Sequence, residues 1–202
     1  MTTATTRLLA ALLLALPLTL AGATYQIDSS HSTAGFTVRH MMVTNVSGAF
    51  SKMSGTVEYD PGNVGQTRIE AVIDASTVNT RNEKRDEHLR SADFFDTANH
   101  PTITFRSTKV EKAEGGGLRV VGDLTMRGVT KEVVLDVDGP TAEVQAQGAY
   151  RMGASATTRI NRKDFGVNWN RALDAGGMVV SEDVRINIEV SLIRKPPASP
   201  TN

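Results

Sequence analysis

The chain has 202 residues, with 22 Lys and Arg against 22 Asp and Glu, 40% hydrophobic residues, 5% aromatic ones and no cysteine. Zero formal charge removes the electrostatic ground for a nucleic-acid partner. The lack of thiols excludes disulfides, a thiolate zinc site and a cysteine nucleophile, and the length suits one domain or one large barrel.

Residues 1–23 read as a cleavable signal peptide. Arg7 gives the positive start, the run from Leu8 to Leu20 is 13 residues of mostly apolar character, and Ala21-Gly22-Ala23 has the small-x-small form of a cleavage site. Thirteen residues make about 20 Å of helix, short of a bilayer core of roughly 30 Å. No cysteine follows, so no lipid anchor is expected. The expectation is an exported protein, periplasmic or secreted, whose mature chain begins at Thr24.

Residues 24–194 read as a single domain of alternating strands. In residues 32–40, Ala34, Phe36 and Val38 alternate with polar neighbours. Residues 48–59 place Met53, Gly55, Val57 and Tyr59 on one side, and residues 68–74 place Ile69, Ala71 and Ile73. The same period runs through residues 102–110 (Ile103, Phe105), 118–126 (Leu118, Val120, Gly122, Leu124, Met126) and 131–138 (Val133, Leu135, Val137). It returns in residues 148–160 (Ala154, Ala156, Ile160) and 184–192 (Val184, Ile186, Ile188, Val190, Leu192). A period of two in eight segments, with short Gly- and Pro-containing connections, predicts eight half-buried antiparallel strands.

Two excursions interrupt the strands. Thr80-Arg81-Asn82-Glu83 has capping-box spacing with Thr80 as the cap, and predicts a short helix over residues 81–90, between the third and fourth strands. Leu89 is its only large apolar residue, so the helix is expected outside the core, tethered by Leu89, Phe94 and Phe95. The second excursion, residues 161–177, precedes the last strand and holds the only tryptophan, Trp169. Residues 195–202 are proline-rich and predicted disordered.

Eight antiparallel strands with one apolar face fit a closed barrel, which has no edges, or a sandwich. The inward set includes Ala34, Gly55, Ala71, Gly122, Ala154 and Ala156, too small to fill a barrel to crystal-like density. The expectation is a hollow, tubular, apolar bore lined by Phe36, Val38, Met53, Val57, Ile69, Ile73, Phe105, Leu124, Met126, Val133, Leu135, Ile186 and Ile188. At its mouth, His40, Met42, His88, Leu89, Arg90, Phe94, Phe95 and Trp169 are candidates to close the end or meet a polar head group. A transmembrane barrel would need aromatic girdles that 5% aromatic residues do not supply.

Rival chemistries find little footing. His31, His40, His88 and His100 lack the close spacing of metal ligands, so no metal site is expected. Ser32 beside His31 invites a hydrolase reading, yet no Gly-x-Ser-x-Gly elbow occurs, and Asp93 and Asp96 read as rim charges. The basic run from Arg159 to Lys163 reads as a solvated strand end. A barrel without a ligand, structural or protein-binding, is the remaining alternative.

Four separated blocks carry a resemblance. The first is Val38-Arg39-His40-Met41-Met42-Val43-Thr44-Asn45-Val46-Ser47-Gly48-Ala49-Phe50, preceded by Asp28-Ser29-Ser30-His31-Ser32. The second is His88-Leu89-Arg90-Ser91-Ala92-Asp93-Phe94-Phe95-Asp96, with Pro101-Thr102-Ile103-Thr104-Phe105 after it. The others are Gly122-Asp123-Leu124-Thr125-Met126-Arg127-Gly128-Val129-Thr130-Lys131 and Ile160-Asn161-Arg162-Lys163-Asp164-Phe165-Gly166-Val167. In this order, from about Tyr25 to Leu192, the chain resembles the YceI-like family of exported lipid-binding proteins. The resemblance implies an all-β, eight-stranded, lipocalin-like antiparallel barrel that binds, transports or stores a polyisoprenoid or other long amphiphile without catalysis. The lipid itself would be an isoprenoid quinone, a polyprenyl derivative or a similar molecule, with no other cofactor. Transient membrane contact and a homodimer are the partners it suggests. The chain departs from the family between Gly139 and Gly148, where a polar excursion before the seventh strand is shortened.

Overall fold

The structure is a computed structural model that describes residues 22–174 and 176–196. The expected leader lies outside the described residues except for its last two positions, and so does most of the expected disordered tail. Among the described residues no helix is long and apolar enough to cross a membrane.

Alternation produces one continuous antiparallel sheet. Its strands are β1 (Ala23–Ile27), β2 (Thr33–His40), β3 (Thr44–Phe50), β4 (Met53–Tyr59), β5 (Arg68–Asp74), β6 (Val78–Asn79) and β7 (Thr102–Lys112). They continue with β8 (Leu118–Met126), β9 (Val129–Asp138), β10 (Val144–Ala146), β11 (Ala149–Asn161) and β12 (Val180–Arg194). Several are halves of one barrel strand. β1 and β2 are parted by a single 3-10 turn at Ser29–His31, β5 and β6 by another at Ala75–Thr77, and β3 and β4 by two residues. β9 and β10 share the edge of β11 that faces away from β12. Counted this way there are eight strands in chain order. The ring closes where β12 pairs with β11 on one side and with β1 and β2 on the other. The ring itself closes without a free edge, as a barrel does and a sandwich does not, while the short β6 and β10 pair on one side only.

The first and second barrel strands are each interrupted where strict alternation gives no warning. Phe50 and Met53 are both buried inward, at 6% and 4% exposure, although they stand an odd number of residues apart. Strict alternation cannot do that, so Ser51 and Lys52 form a break, and the single strand expected over residues 48–59 becomes β3 and β4. β1 offered only Tyr25 and Ile27 as signal before its interruption, too few to establish a period. Ala23, the last residue of the expected leader, already pairs with Tyr59.

The helix α1 (Glu83–Arg90) lies outside the wall, across one end of the barrel. Its cap is Asn82, whose side chain accepts the Arg85 N–H at 3.1 Å, in place of the predicted Thr80. Thr80 is claimed by another partner. Its backbone N–H and its hydroxyl both donate to Asp86 Oδ1, at 2.8 and 2.5 Å, and Asp86 is buried. The second excursion opens with a 3-10 turn at Arg162–Phe165, and Arg162 is 4% exposed rather than solvated as the basic run suggested. Its Nε donates to the Ser181 carbonyl at 2.9 Å, and Nη1 donates to those of Val167 at 2.7 Å and Trp169 at 2.9 Å. Burial lowers its pKa below the ordinary arginine value. Arg127 then joins the two excursions, donating to the carbonyls of Gly166 and Ala92. The end cover is therefore fastened by side chains onto backbone oxygens.

Candidate functional site: an apolar bore closed at one end

The inward parity of eight strands leaves a cavity of about 440 Å³ along the barrel axis. That volume falls in the usual range of small-molecule sites, about 300–1,000 Å³. Wall residues on β12 run from Val180 to Leu192. At about 3.3 Å per residue and a strand tilt of about 40°, they extend for about 30 Å along the axis. The space is a tube rather than a pit.

All thirteen residues expected in the bore lie on its wall: Phe36, Val38, Met53, Val57, Ile69, Ile73, Phe105, Leu124, Met126, Val133, Leu135, Ile186 and Ile188. Ile27, Val46, Phe50 and Met152 join them and were not foreseen. Ile27 and Phe50 sit next to strand interruptions, where parity is lost. Met152 continues the alternation of Ala154 and Ala156 by one step, so that signal was present.

Two of the small residues expected to open the bore, Gly55 and Gly122, do not leave free space: a β-carbon at Gly55 would stand 2.0 Å from the Glu70 carbonyl oxygen, and at Gly122, as at Gly48, a ring from a neighbouring strand occupies the space. A β-carbon at Gly48 would come within 2.5 Å of Phe36 Cζ, and one at Gly122 within 2.5 Å of Phe105 Cζ. Phe36 and Gly48 are direct cross-strand partners. The alanines, by contrast, face the lumen, with Ala34, Ala71, Ala154 and Ala156 on the wall. The hollow comes from them.

The base is sealed by the barrel itself. Tyr25, Val57, Met152 and Leu192 form a second buried cluster there, each under 9% exposed. Outside it the Tyr25 hydroxyl donates to Glu143 Oε2, and Arg194 makes a two-point contact with Glu143, both at 2.7 Å. The Arg194 guanidinium also lies over the Tyr150 ring, 4.1 Å from its centroid. Arg194 holds the Glu143 carboxyl below the ordinary glutamate value, while burial and the adjacent carboxylate raise the Tyr25 phenol. Glu143 lies between Gly139 and Gly148, just before β10.

The opposite end is covered by α1 and the two excursions. The His88 ring meets Phe94 and Trp169 edge-on, each at 5.0 Å between centroids, and Phe94 and Trp169 lie 5.2 Å apart. Phe50 links Phe36 at 5.8 Å to Phe95 at 5.4 Å. His88 Nε2 is 2.8 Å from Asp93 Oδ2. Of the residues expected at this mouth, His40, His88, Leu89, Phe94, Phe95 and Trp169 line the cavity. Arg90 and Met42 do not. Arg85, His88 and Leu89 share one helix face at i, i+3 and i+4, and Arg90 is one residue past it on the outer surface. Met42 sits at a hairpin tip and is 63% exposed. Arg85 was missed, although its spacing to His88 and Leu89 carried the signal. Its Nε and Nη2 donate to the Thr80 hydroxyl and carbonyl, at 2.7 and 2.9 Å.

The wall offers little reactive chemistry. Its polar members include His40, Tyr59, Thr67, Thr80, Arg85, His88, Thr158 and Arg162, and none forms a nucleophile–base pair. Among the described residues no group of three or more His, Asp or Glu is placed to hold a metal ion. The arrangement can enclose a long apolar chain and present cations and hydroxyls near one end.

Known proteins share both the sequence and the barrel. A UPF0312 protein of Staphylococcus aureus is 36% identical over 162 residues, covering 80% of this chain and 92% of its own. The crystal structure of the Campylobacter jejuni YCEI protein has a TM-score of 0.65 at 30% identity, covering 78% of this chain and 90% of that one. A polyisoprenoid binding domain from Saccharophagus degradans has a TM-score of 0.62 at 20% identity over 85% of this chain and 98% of its own, a likeness of fold. The YceI-like domain matches residues 25–192, and the chain belongs to that family.

Proposed function

We propose that this protein binds a long isoprenoid or comparable long-chain amphiphile in its bore, and carries or stores it outside the cytoplasm without turning it over. The observation that carries this reading is a tube about 30 Å long whose wall is aliphatic and aromatic over its length, sealed at one end by the barrel's own side chains. The name of the Saccharophagus degradans domain, polyisoprenoid binding, supports the ligand class. The leader expected in residues 1–23 supports export.

Energetics fit a carrier. Burying a CH₂ is worth about 0.8 kcal/mol against water, so a five-carbon isoprene unit contributes about 4 kcal/mol gross. A few such units would reach the practical ceiling of about 20 kcal/mol for non-covalent affinity. The lipid's real alternative, however, is a membrane interior as apolar as the bore. The net preference is therefore small, and release remains feasible. Met53 and Met126 on the wall let it fit more than one chain shape.

Mass spectrometry of organic extracts from natively purified protein is the direct test. A stoichiometric long-chain isoprenoid or related amphiphile is the expected result. An extract without lipid, from protein that also fails to take up such molecules when delipidated, would overturn the reading.

A further inference from the structure

Four large apolar side chains stand in solvent at the covered end of the barrel. Met41, Met42, Val43 and Met178 are 46%, 63%, 71% and 39% exposed. They form one patch. Met41 N–H donates to the Val179 carbonyl at 2.7 Å, and Met42 Cγ would lie 3.4 Å from a β-carbon at Gly177, the neighbour of Met178. The patch runs directly into the bore, because His40, Val179 and Val180 are on its wall.

The turn that displays the methionines has an unfavourable sequence for its shape. Val43 N–H donates to the His40 carbonyl at 3.0 Å, and the two residues between them, Met41 and Met42, have φ of 50° and 60°. Two successive left-handed residues make the kind of turn that selects Asn-Gly, since a side chain resists that conformation. Two other tight turns of this barrel obey the preference, with Gly128 after Arg127 and Gly148 after Gln147. A tip that served only to reverse the chain would do the same. Strain held at an exposed apolar tip marks a working surface.

We propose that this lip docks on a phospholipid bilayer and is the place where lipid passes between membrane and bore. The proposal rests on the lipid-binding reading above and deepens it by naming the partner and the point of entry. Apolar tips insert among acyl chains, and neighbouring cations meet anionic head groups. Arg39 donates to the Met42 carbonyl at 3.3 Å, and the Arg171 carbonyl accepts from Val179 at 2.9 Å. Neither forms an ion pair among the described residues. Asp174 is the one carboxylate in the loop between Arg171 and Val179. The cover beside the lip is built of loops and one short helix, the kind of structure that opens at low cost. Placed against a bilayer, the mouth lets a chain leave the membrane without crossing water. A soluble partner would account for the patch but not for its continuity with the bore.

The test uses M41N together with M42G, which installs the preferred turn sequence and is expected to melt at or above the wild-type temperature. Flotation is measured with vesicles of phosphatidylcholine, with and without phosphatidylglycerol. The wild type is expected to float with the vesicles, more so with the anionic lipid, and the double variant to lose association by about tenfold or more. Uptake of parinaric acid delivered from ethanol, without vesicles, should be unchanged in the variant and reports separately on the bore. Equal flotation of both proteins, or none by the wild type, overturns the docking site whatever the uptake shows. If the substitutions instead abolish self-association while the wild type ignores vesicles, the patch belongs to a second copy and the proposal is wrong. Failure of the wild type to take up parinaric acid would count against the lipid-binding reading itself.

Discussion

A β-carbon added at Gly122 would stand 2.5 Å from the Arg106 carbonyl oxygen and equally close to the Phe105 ring. The backbone oxygen cannot move aside without disturbing the β7–β8 ladder, so Gly122→Ala is expected to destabilise the barrel by about 1–3 kcal/mol, as overpacking does. Ala71 presents the opposite case. Its methyl faces the lumen between Gly55 and Phe105, its partners on β4 and β5's other neighbour, β7. Ala71→Phe should leave the circular dichroism spectrum and melting transition close to wild type while reducing uptake of a long-chain probe at least about tenfold, an effect of about 1.4 kcal/mol. Retained uptake in a folded Ala71→Phe protein would argue that the ligand lies elsewhere. The pair shows what a single strand's alternation conveys. Period two names the side a residue faces, which placed Phe36, Leu124 and Ile186 correctly on the wall. It does not say whether a ring from the next strand already occupies a glycine's space, since that depends on diagonal neighbours and register. Arg90 was misplaced for a related reason, because the helix face was set by Arg85, His88 and Leu89 once the true start at Glu83 was known.

The elements that cover the bore are held by polar groups that charge patterning alone hid. The run over residues 81–90 reads as a charged helix outside the core, tethered by Leu89, yet Asp86 is 7% exposed and accepts two hydrogen bonds from Thr80 at the end of the third barrel strand. The sequence contained a helix start, and the capping-box reading found it within three residues. It assigned Thr80 to the wrong partner because a carboxylate six residues on competes for the same hydroxyl. Asp86→Ala would leave the Thr80 N–H buried without an acceptor, at a cost of about 1–3 kcal/mol. The loss should be local. Hydrogen exchange is expected to quicken across α1 and the residues just after it, while amides of β11 and β12, which share the longest ladder, keep their protection. A uniform rise in exchange throughout the barrel would show that Asp86 supports the whole fold rather than its cover. Arg162 and Arg127 play the same fastening part for the second excursion, and the burial of Arg162 is invisible in a basic run read by charge.

Taken whole, the molecule is asymmetric end to end, with a base locked by ion pairs across strands and an opposite end covered by loops. At the base Arg151 donates to Asp28 at 3.0 Å, joining β11 to the end of β1, and Arg194 grips Glu143 from the end of β12. Both carboxyls titrate below their ordinary values, Asp28 chiefly through His31 with help from Arg151, and Glu143 chiefly through Arg194. A carboxyl whose pKa is lower folded than unfolded stabilises the fold above its unfolded value and loses that contribution as pH falls through the folded one. For Glu143 the unfolded reference is 4.5, so its contribution is constant from neutrality down to that region and disappears below it. Glu143→Gln is therefore expected to lower stability by about 1–2 kcal/mol at neutral pH, the scale of a charge-assisted contact that is partly solvated. Melting curves taken at descending pH should show the gap between variant and wild type narrowing below 4.5 and closing once the native carboxyl is protonated. Because this lock sits at the end away from the lip, its loss should leave vesicle association intact while a bound long-chain probe becomes easier to quench from solution. A stability gap as wide in strong acid as at neutrality would mean that Glu143 acts by packing alone, and the base would owe its closure to Tyr25, Val57, Met152 and Leu192.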